Sequence, residues 1–489
     1  MRFHFFPWQS LSGVDSTHQP TSDRRICAAS VCVGLWWFVV ACSPSSLVDT
    51  QSPSTVVDPA VAQTASGAAS MRNSALSTVR IVFAGNLAGV VALSGTVTDE
   101  LQDPGYQGCS GDDRMLAASS CNHGSPGYDL ISRARVFTRQ ARQALQQWAP
   151  NSSSTPRAWQ GELYAIEGYT VLWFAELYCS GIPLSQSSLD GTQLPARGSS
   201  TAELFAAAIA LFDSAASVGA DSARFVYLAH VGKGRAFLGL GKFAEADSAV
   251  ADVPLSFVYT LPPVVGYDIT STDIPAGNLR VQDHEGGNGL VWSTDPRVAV
   301  VTVDSLTGTM LWPAKYNINA GAGTPDPTTP TSGVAFRLAD GLEAQLIHAE
   351  AALARGDAAW LAVLNTLRAT CVGTAACAPR LGLASGVLPP LTDPGTPDAR
   401  IDTLMKERAM WLYLTGHREG DLRRMARVYS RDKNTLWPTG VMSEPAYPPM
   451  FPGVGKENGQ LYGNDVVYTP DPNEQIFNSQ YGGCYDHNP

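Results

Sequence analysis

Charge is scarce in this chain of 489 residues: Asp, Glu, Lys and Arg make up 16% of it, with 33 basic against 44 acidic residues. No stretch of Lys and Arg tracks a phosphate backbone or an anionic membrane surface, and the formal net charge of −11 argues against nucleic acid as a partner. The sequence has no HExxH, no GxSxG and no P-loop, and the glycines of "GKGRAFLG" (Gly232–Gly239) fall inside a helical pattern rather than after a strand. No CxxC or neighbouring CxxH supports a zinc site. Disorder is excluded as the default, because 44% of the residues are hydrophobic and a large core is within reach.

The N-terminus does carry a signal. Arg24 and Arg25 precede the apolar run "ICAASVCVGLWWFVV", which leads into "VVAC" at Val39–Cys42. A basic pair, a short apolar segment and a small residue before the break predict a secretory signal over 1–41, too short for a membrane-spanning helix. Ser/Pro/Ala-rich sequence follows and reads as a tether over 42–70. Outside the signal and Cys42, six cysteines remain: Cys109, Cys121, Cys179, Cys371, Cys377 and Cys484. An even number in an exported chain reads as disulfides. Short spacing makes Cys109 with Cys121 and Cys371 with Cys377 the natural local pairs, leaving Cys179 for Cys484.

Residues 71–489 read as one mostly α domain. Leu130, Ala134, Phe137, Ala141, Leu145 and Trp148 form one helical stripe; Trp159, Leu163, Ile166, Thr170, Trp173 and Leu177 form a second, with Pro156 in its first turn. "STAELFAAAIALFDSAASV" opens on a capping box, Ser200 to Glu203, and the stretch after it, with Leu238, Gly241, Phe243, Ala246 and Pro254, follows the tetratricopeptide helix-turn-helix pattern. The next helix carries Leu338, Leu342, Leu346, Ala349 and Leu353 and stops at Gly356, where Asp357 can cap its successor. A last pair runs from Ile401 to Leu414 and from Arg418 to Tyr429 around Gly416. About four helix pairs result, interrupted by loop-rich insertions at 255–335 and 432–489. "RVAVVTVDS" and "TGTMLWPAKYN" give the clearest β alternation there. Long loops in a compact protein are usually functional, and these are rich in aromatics.

Several motifs, in order along nearly the whole mature chain, resemble the SusD/RagB family of nutrient-binding outer-membrane lipoproteins. They are "GELYAIEGYTVLWFAELYCSGIPLS" (Gly161–Ser185), "STDPR" (Ser293–Arg297), "AKYN" (Ala314–Asn317), "LIHAEAALARGDAAWLAVLNTLRA", "KERAMWLYLTGHREGDLRR" and "YTPDPNEQIFN". "VVAC" resembles the lipobox of bacterial lipoproteins, which implies cleavage after Ala41 and a diacylglyceryl thioether on Cys42. Two departures stand out: Thr415 replaces the family's usual glutamate, and no acidic run follows Cys42. The resemblance implies a surface lipoprotein of the outer membrane that captures an oligosaccharide or peptide and delivers it to a SusC-like, TonB-dependent transporter. It also implies no catalytic residues, no cofactor and no membrane contact beyond the lipid anchor. Helix pairs would then face the transporter, and loops would build the ligand site.

"GTVTDELQDPGYQGC" offers Asp99, Glu100 and Tyr106 for that site, and "DHEGGNGLVWSTDP" offers His284, Asn288 and Trp292, with Trp312 close by. Exposed rings cover the C–H face of a sugar, and carboxylates or amides bridge its hydroxyls. "WLYLTGHREGDLRR" (Trp411–Arg424) looks more like an active site, yet His417 has no nucleophile to serve. Glu407, Arg408, Gly416, His417, Arg418, Asp421 and Arg423 are therefore expected to be structural, with arginine forks holding carboxylates across the turn. His348, beside Glu350 on a helix, reads as structural or solvated. Two other classes compete: a tetratricopeptide-type adaptor that binds only proteins, and a secreted glycoside hydrolase, which needs two facing carboxylates.

Overall fold

The computed structural model describes residues 63–85, 87–102, 114, 116, 124–149, 154–262, 279–281, 284–285, 289–298, 300–305, 308–313, 336–370, 388–437, 439, 463–470 and 474–489. Every described residue belongs to one unit, Val57–Pro489. The expected signal, Cys42, Cys109, Cys121, Cys371 and Cys377 lie outside the described residues.

The architecture is mostly α, as the periodicity predicts. Helix α1 (Ala65–Ala84) starts inside the segment expected to be tether, because Thr64 accepts a hydrogen bond from the Gly67 amide and caps the first turn. After α2 (Val90–Val97) and the short β1 (Leu101–Gln102) come α3 (Gly124–Trp148) and α4 (Ser154–Leu177). Two small ladders, β2 (Ile182–Pro183) with β5 (Gly198–Ser199) and β3 (Gln186–Ser187) with β4 (Gln193–Leu194), lead to α5 (Thr201–Val218), α6 (Ala223–Gly239) and α7 (Phe243–Val250). In the insertion, β6 (Val258–Thr260), β7 (Arg280–Val281), β8 (His284–Glu285), β9 (Leu290–Val291), β10 (Val300–Ser305) and β11 (Gly308–Pro313) precede β12 (Arg337–Asp340). The scaffold resumes with α8 (Gly341–Ala354), α9 (Ala359–Thr370), α10 (Pro397–Trp411) and α11 (Arg418–Arg427), and α12 (Glu474–Phe477) lies near the end. All strand pairs among the described residues are two-stranded and antiparallel; the two stretches expected to be β are β10 and β11, and they pair with each other, Val301 opposite Trp312.

From α3 to α9 each helix packs on the next, so the scaffold grows by stacking. Helix α5 is long and apolar enough to cross a membrane by length and composition, yet it packs on α4 and α6 and opens with the expected capping box. Its close approach to α4 needs glycine: a Cβ on Gly161 would stand 2.4 Å from the Cα of Gly219. Helix α4 is the spine, and from Gln160 to Leu177 every residue but Tyr164 is buried. That burial includes three carboxylates, each answered by an arginine from a different neighbour: Glu162 by Arg72 (2.6 Å), Glu167 by Arg142 (3.0 Å) and Glu176 by Arg235 (2.7 and 2.6 Å). Buried charges persist only when paired in this way. One aromatic cluster, including Phe83 stacked on Trp173 at 5.6 Å, joins α1 to the spine.

Two boundaries differ from the sequence reading. Leu338 belongs to β12 rather than to the stripe of α8, because Asp340 caps the helix through the Glu343 amide (2.9 Å) and β12 pairs with β6. Helix α10 begins at Pro397, capped by Thr396, and ends at Trp411 instead of running to Leu414. At the far end of α4, Cys179 and Cys484 form a disulfide with Cα atoms 5.9 Å apart, and the Cys179 amide donates to the Tyr468 carbonyl (2.9 Å).

Candidate functional site

The residues around Gly416 make the densest polar cluster among the described residues. Helix α10 stops where the Leu412 amide bonds the Arg408 carbonyl, and Leu414 (φ 52°) and Gly416 (φ 70°) then turn the chain through left-handed conformations. Glycine is required at 416, since a Cβ there would lie 2.9 Å from Val90. Helix α11 leaves the turn and packs on α2, α4 and α6.

Arg408 forks onto Asp421 (2.9 and 2.9 Å); Arg424 forks onto Glu350 of α8 (2.7 and 2.9 Å) and also reaches Asp421 (2.8 Å). Glu407 accepts from Arg297 of the Asp-Pro-Arg segment (2.6 and 3.1 Å) and from Arg368 of α9 (2.6 Å). Arg423 donates to the carbonyls of Ala175 and Tyr178 (2.8 and 3.0 Å), closing the end of α4, and Arg418 reaches the Met405 carbonyl (3.5 Å). His417 places Nε2 2.8 Å from Arg235 and 2.9 Å from Glu343, while Nδ1 lies 2.8 Å from the Thr415 hydroxyl. The glutamate that Thr415 replaces is thus exchanged for a hydroxyl that binds the Leu412 carbonyl and His417.

Burial raises the Asp421 carboxyl, but the Arg408 and Arg424 guanidiniums outweigh it and hold the group well below the usual carboxylate range. Glu419 behaves oppositely. Burial pushes it up to about 8, against the pull of Arg423, and the Trp437 indole N–H donates to it at 3.2 Å. All of these side chains but the half-buried Arg368 are buried, so the cluster links segments rather than facing open solvent. Motifs far apart in the chain converge here: Glu176, Arg297, Glu350 and the 407–424 segment.

The expected ligand residues are placed differently. Asp99 and Glu100 are 2% and 1% exposed, and Trp292 is fully buried. The Glu100 carbonyl accepts from the Tyr413 hydroxyl (3.2 Å), and the Trp292 ring lies 5.1 Å from the Tyr413 ring. Glu100 and Trp292 therefore pack against the 411–416 turn, and Asp99 is buried beside Glu100 in the chain. His284 and Trp312 sit in strands opposite Val291 and Val301, with side chains outside the described part, and Tyr106 and Asn288 lie outside the described residues. His348 is a surface residue held by Asp247.

Clefts open at several places among the described residues, and three bear on function. One of about 370 Å3 lies between α10, α11 and the two long insertions, with Leu290, Met405, Met425 and Leu436 as its floor and Asp402, Lys406 and Arg431 on its rim. A second, of about 340 Å3, is lined by Asp247, Gln345 and His348. The third, of about 360 Å3, is lined by Arg72, Asn73, Glu162, Arg224 and Tyr259. Sequence reasoning missed all three, because each is assembled from segments whose polar residues match no local motif.

Comparison with protein-family models and with curated proteins finds no match. Solved structures do match. A SusD-like carbohydrate binding protein from Bacteroides fragilis NCTC 9343 aligns over 86% of this chain and 99% of its own, with 14% identity and a TM-score of 0.57. A SusD-like carbohydrate binding protein from Bacteroides vulgatus ATCC 8482 aligns over 86% and 97%, with 12% identity and a TM-score of 0.56. NanU of B. fragilis aligns over 84% and 100%, with 13% identity and a TM-score of 0.55. At these identities the likeness concerns the fold, and it runs nearly end to end in each case: the chain has the SusD-like fold.

Proposed function

We propose that this protein is a non-catalytic nutrient-binding lipoprotein of the outer membrane, anchored through Cys42, which captures a glycan or peptide and passes it to a SusC-like, TonB-dependent transporter. The observation that carries the proposal is the near-complete alignment with SusD-like proteins, two of them described as carbohydrate binding. The "VVAC" ending supports the anchor, since a lipid thioether at Cys42 would hold the folded body at a bilayer through the residues before Thr64. The ligand is held by the insertions 255–335 and 432–489, which flank the cleft at Leu290, Lys406 and Leu436. A closed ion-pair network supports a rigid body rather than turnover, because its acids and bases hold one another.

Purification of the native protein from outer membranes should bring a β-barrel transporter with it, and Cys42→Ser should release the protein to the soluble fraction. Absence of any barrel in the purified material overturns the transporter partnership. Release of product from a polysaccharide panel overturns the non-catalytic reading.

A further inference from the structure

Glu162, near the start of α4, has both carboxylate oxygens occupied. Oε2 accepts from Arg72 Nε at 2.6 Å and Oε1 from the Tyr259 hydroxyl at 2.8 Å. Glu162 and Tyr259 are 3% and 1% exposed, so the pair forms a fixed floor where α1, α4, α6 and β6 meet. Arg72 is held further by Asn73 Oδ1 (3.1 Å) and by the Trp159 ring, 4.9 Å below its guanidinium. Arg224, from the first turn of α6, lies over the Tyr259 ring at 4.9 Å. It is exposed and makes no hydrogen bond to a protein group among the described residues, while its charge acts on the Glu162 carboxylate.

The consequence is a cleft with its acceptors spent and its donors open. Arg72 and Arg224 face a single carboxylate, Glu162, so one positive charge is left over on a chain whose net charge is −11. The Arg224 guanidinium, the Asn73 amide N–H groups and the Ser77 hydroxyl line about 360 Å3 of space, with Leu76 and Pro262 supplying apolar wall. A guanidinium whose fork bonds no protein carboxylate can offer that fork to one from outside.

We propose that this cleft binds a sugar acid, with Arg224 receiving the carboxylate and Asn73 and Ser77 receiving ring hydroxyls. The volume suits one pyranose ring with its substituents, at the small end of ligand sites. The site is separate from the cleft between α10 and α11, so it stands whether or not the insertions capture a nutrient.

Titration calorimetry of the full chain with glucuronate, glucose and glucose 6-phosphate tests it. Glucuronate should bind at least about tenfold more tightly than glucose, a difference of about 1.4 kcal/mol. Arg224→Gln should remove that preference without shifting the melting temperature, and Arg224→Lys should restore only part of it, since a point charge lacks the fork. Arg197→Gln, an exposed residue outside both clefts, should leave glucuronate affinity unchanged. Equal affinity for glucuronate and glucose, no measurable glucuronate binding, or an unchanged affinity in Arg224→Gln would overturn the proposal. Tighter binding of glucose 6-phosphate than of glucuronate would assign the cleft to phosphate and overturn the sugar-acid reading.

Discussion

Between Glu407 and Arg424 every charged side chain is buried, whereas in the cleft of Arg72 and Arg224 one guanidinium faces open space. The first region is dense in charge and conspicuous in the sequence; the second joins four residues of α1 to one each from α4 and α6 and to the end of β6, and is invisible there. The dense region binds itself, with Arg408, Arg424, Glu350 and Asp421 meeting at 2.7 to 2.9 Å. The sparse one leaves a donor unspent. What a charged group can do for a ligand depends on whether the fold has already given it a partner.

Breaking the closed network should have the largest effect. Asp421→Ala leaves Arg408 without its fork and takes one acceptor from Arg424, and removing one partner from a buried ion pair costs about 3–5 kcal/mol. Chemical denaturation should show that loss, while the folded fraction binds ligand with nearly wild-type affinity; folded protein that no longer binds would mean the network belongs to the ligand site after all. Gly416→Ala should cost about 2 kcal/mol, from the left-handed backbone and the crowding at Val90, visible as a lower melting temperature.

Acidity separates two neighbours within the network. The carboxyl of Asp421 is depressed on folding, so its contribution is present above its ordinary unfolded value and is lost only as pH falls through the folded one. Glu419 is raised to about 8, so the unfolded chain binds fewer protons above the ordinary glutamate range and stability falls as pH climbs towards 8. Glu419→Gln should therefore stabilise the protein by at least about 1 kcal/mol at pH 8 and leave it little changed at pH 4, as melting curves at the two pH values would show. A gain of equal size at both values would refute the assignment. At the open cleft the expected effect on stability is smallest: Arg224→Gln should change it by less than about 0.5 kcal/mol, as for most exposed substitutions.

Much of the scaffold was legible because helical periodicity is a local property. The helices α3 and α4, the capping box of α5, the Gly356–Asp357 junction and the strands β10 and β11 follow from spacing and turn chemistry, although Phe137 of the α3 stripe is 41% exposed. Leu338 was misread because Asp340 interrupts a stripe that continues in register on both sides. The burial of Asp99, Glu100 and Trp292 was not legible: polar and aromatic residues near glycines look the same whether they face a ligand or the underside of a turn.

The sequence by itself determined the helices, their caps and the residues able to form forked ion pairs, since each depends on neighbours a few positions away. Tertiary structure alone decided which charges were spent. Glu350 meets Arg424 and Glu407 meets Arg297 across long stretches of chain, while the oxygens of Glu162 are taken by Arg72 and Tyr259 and leave the Arg224 fork without a hydrogen bond among the described residues. Pairing in a low-dielectric interior needs contact within hydrogen-bond distance, and only the packing of α4, α8 and α11 brings those groups so close.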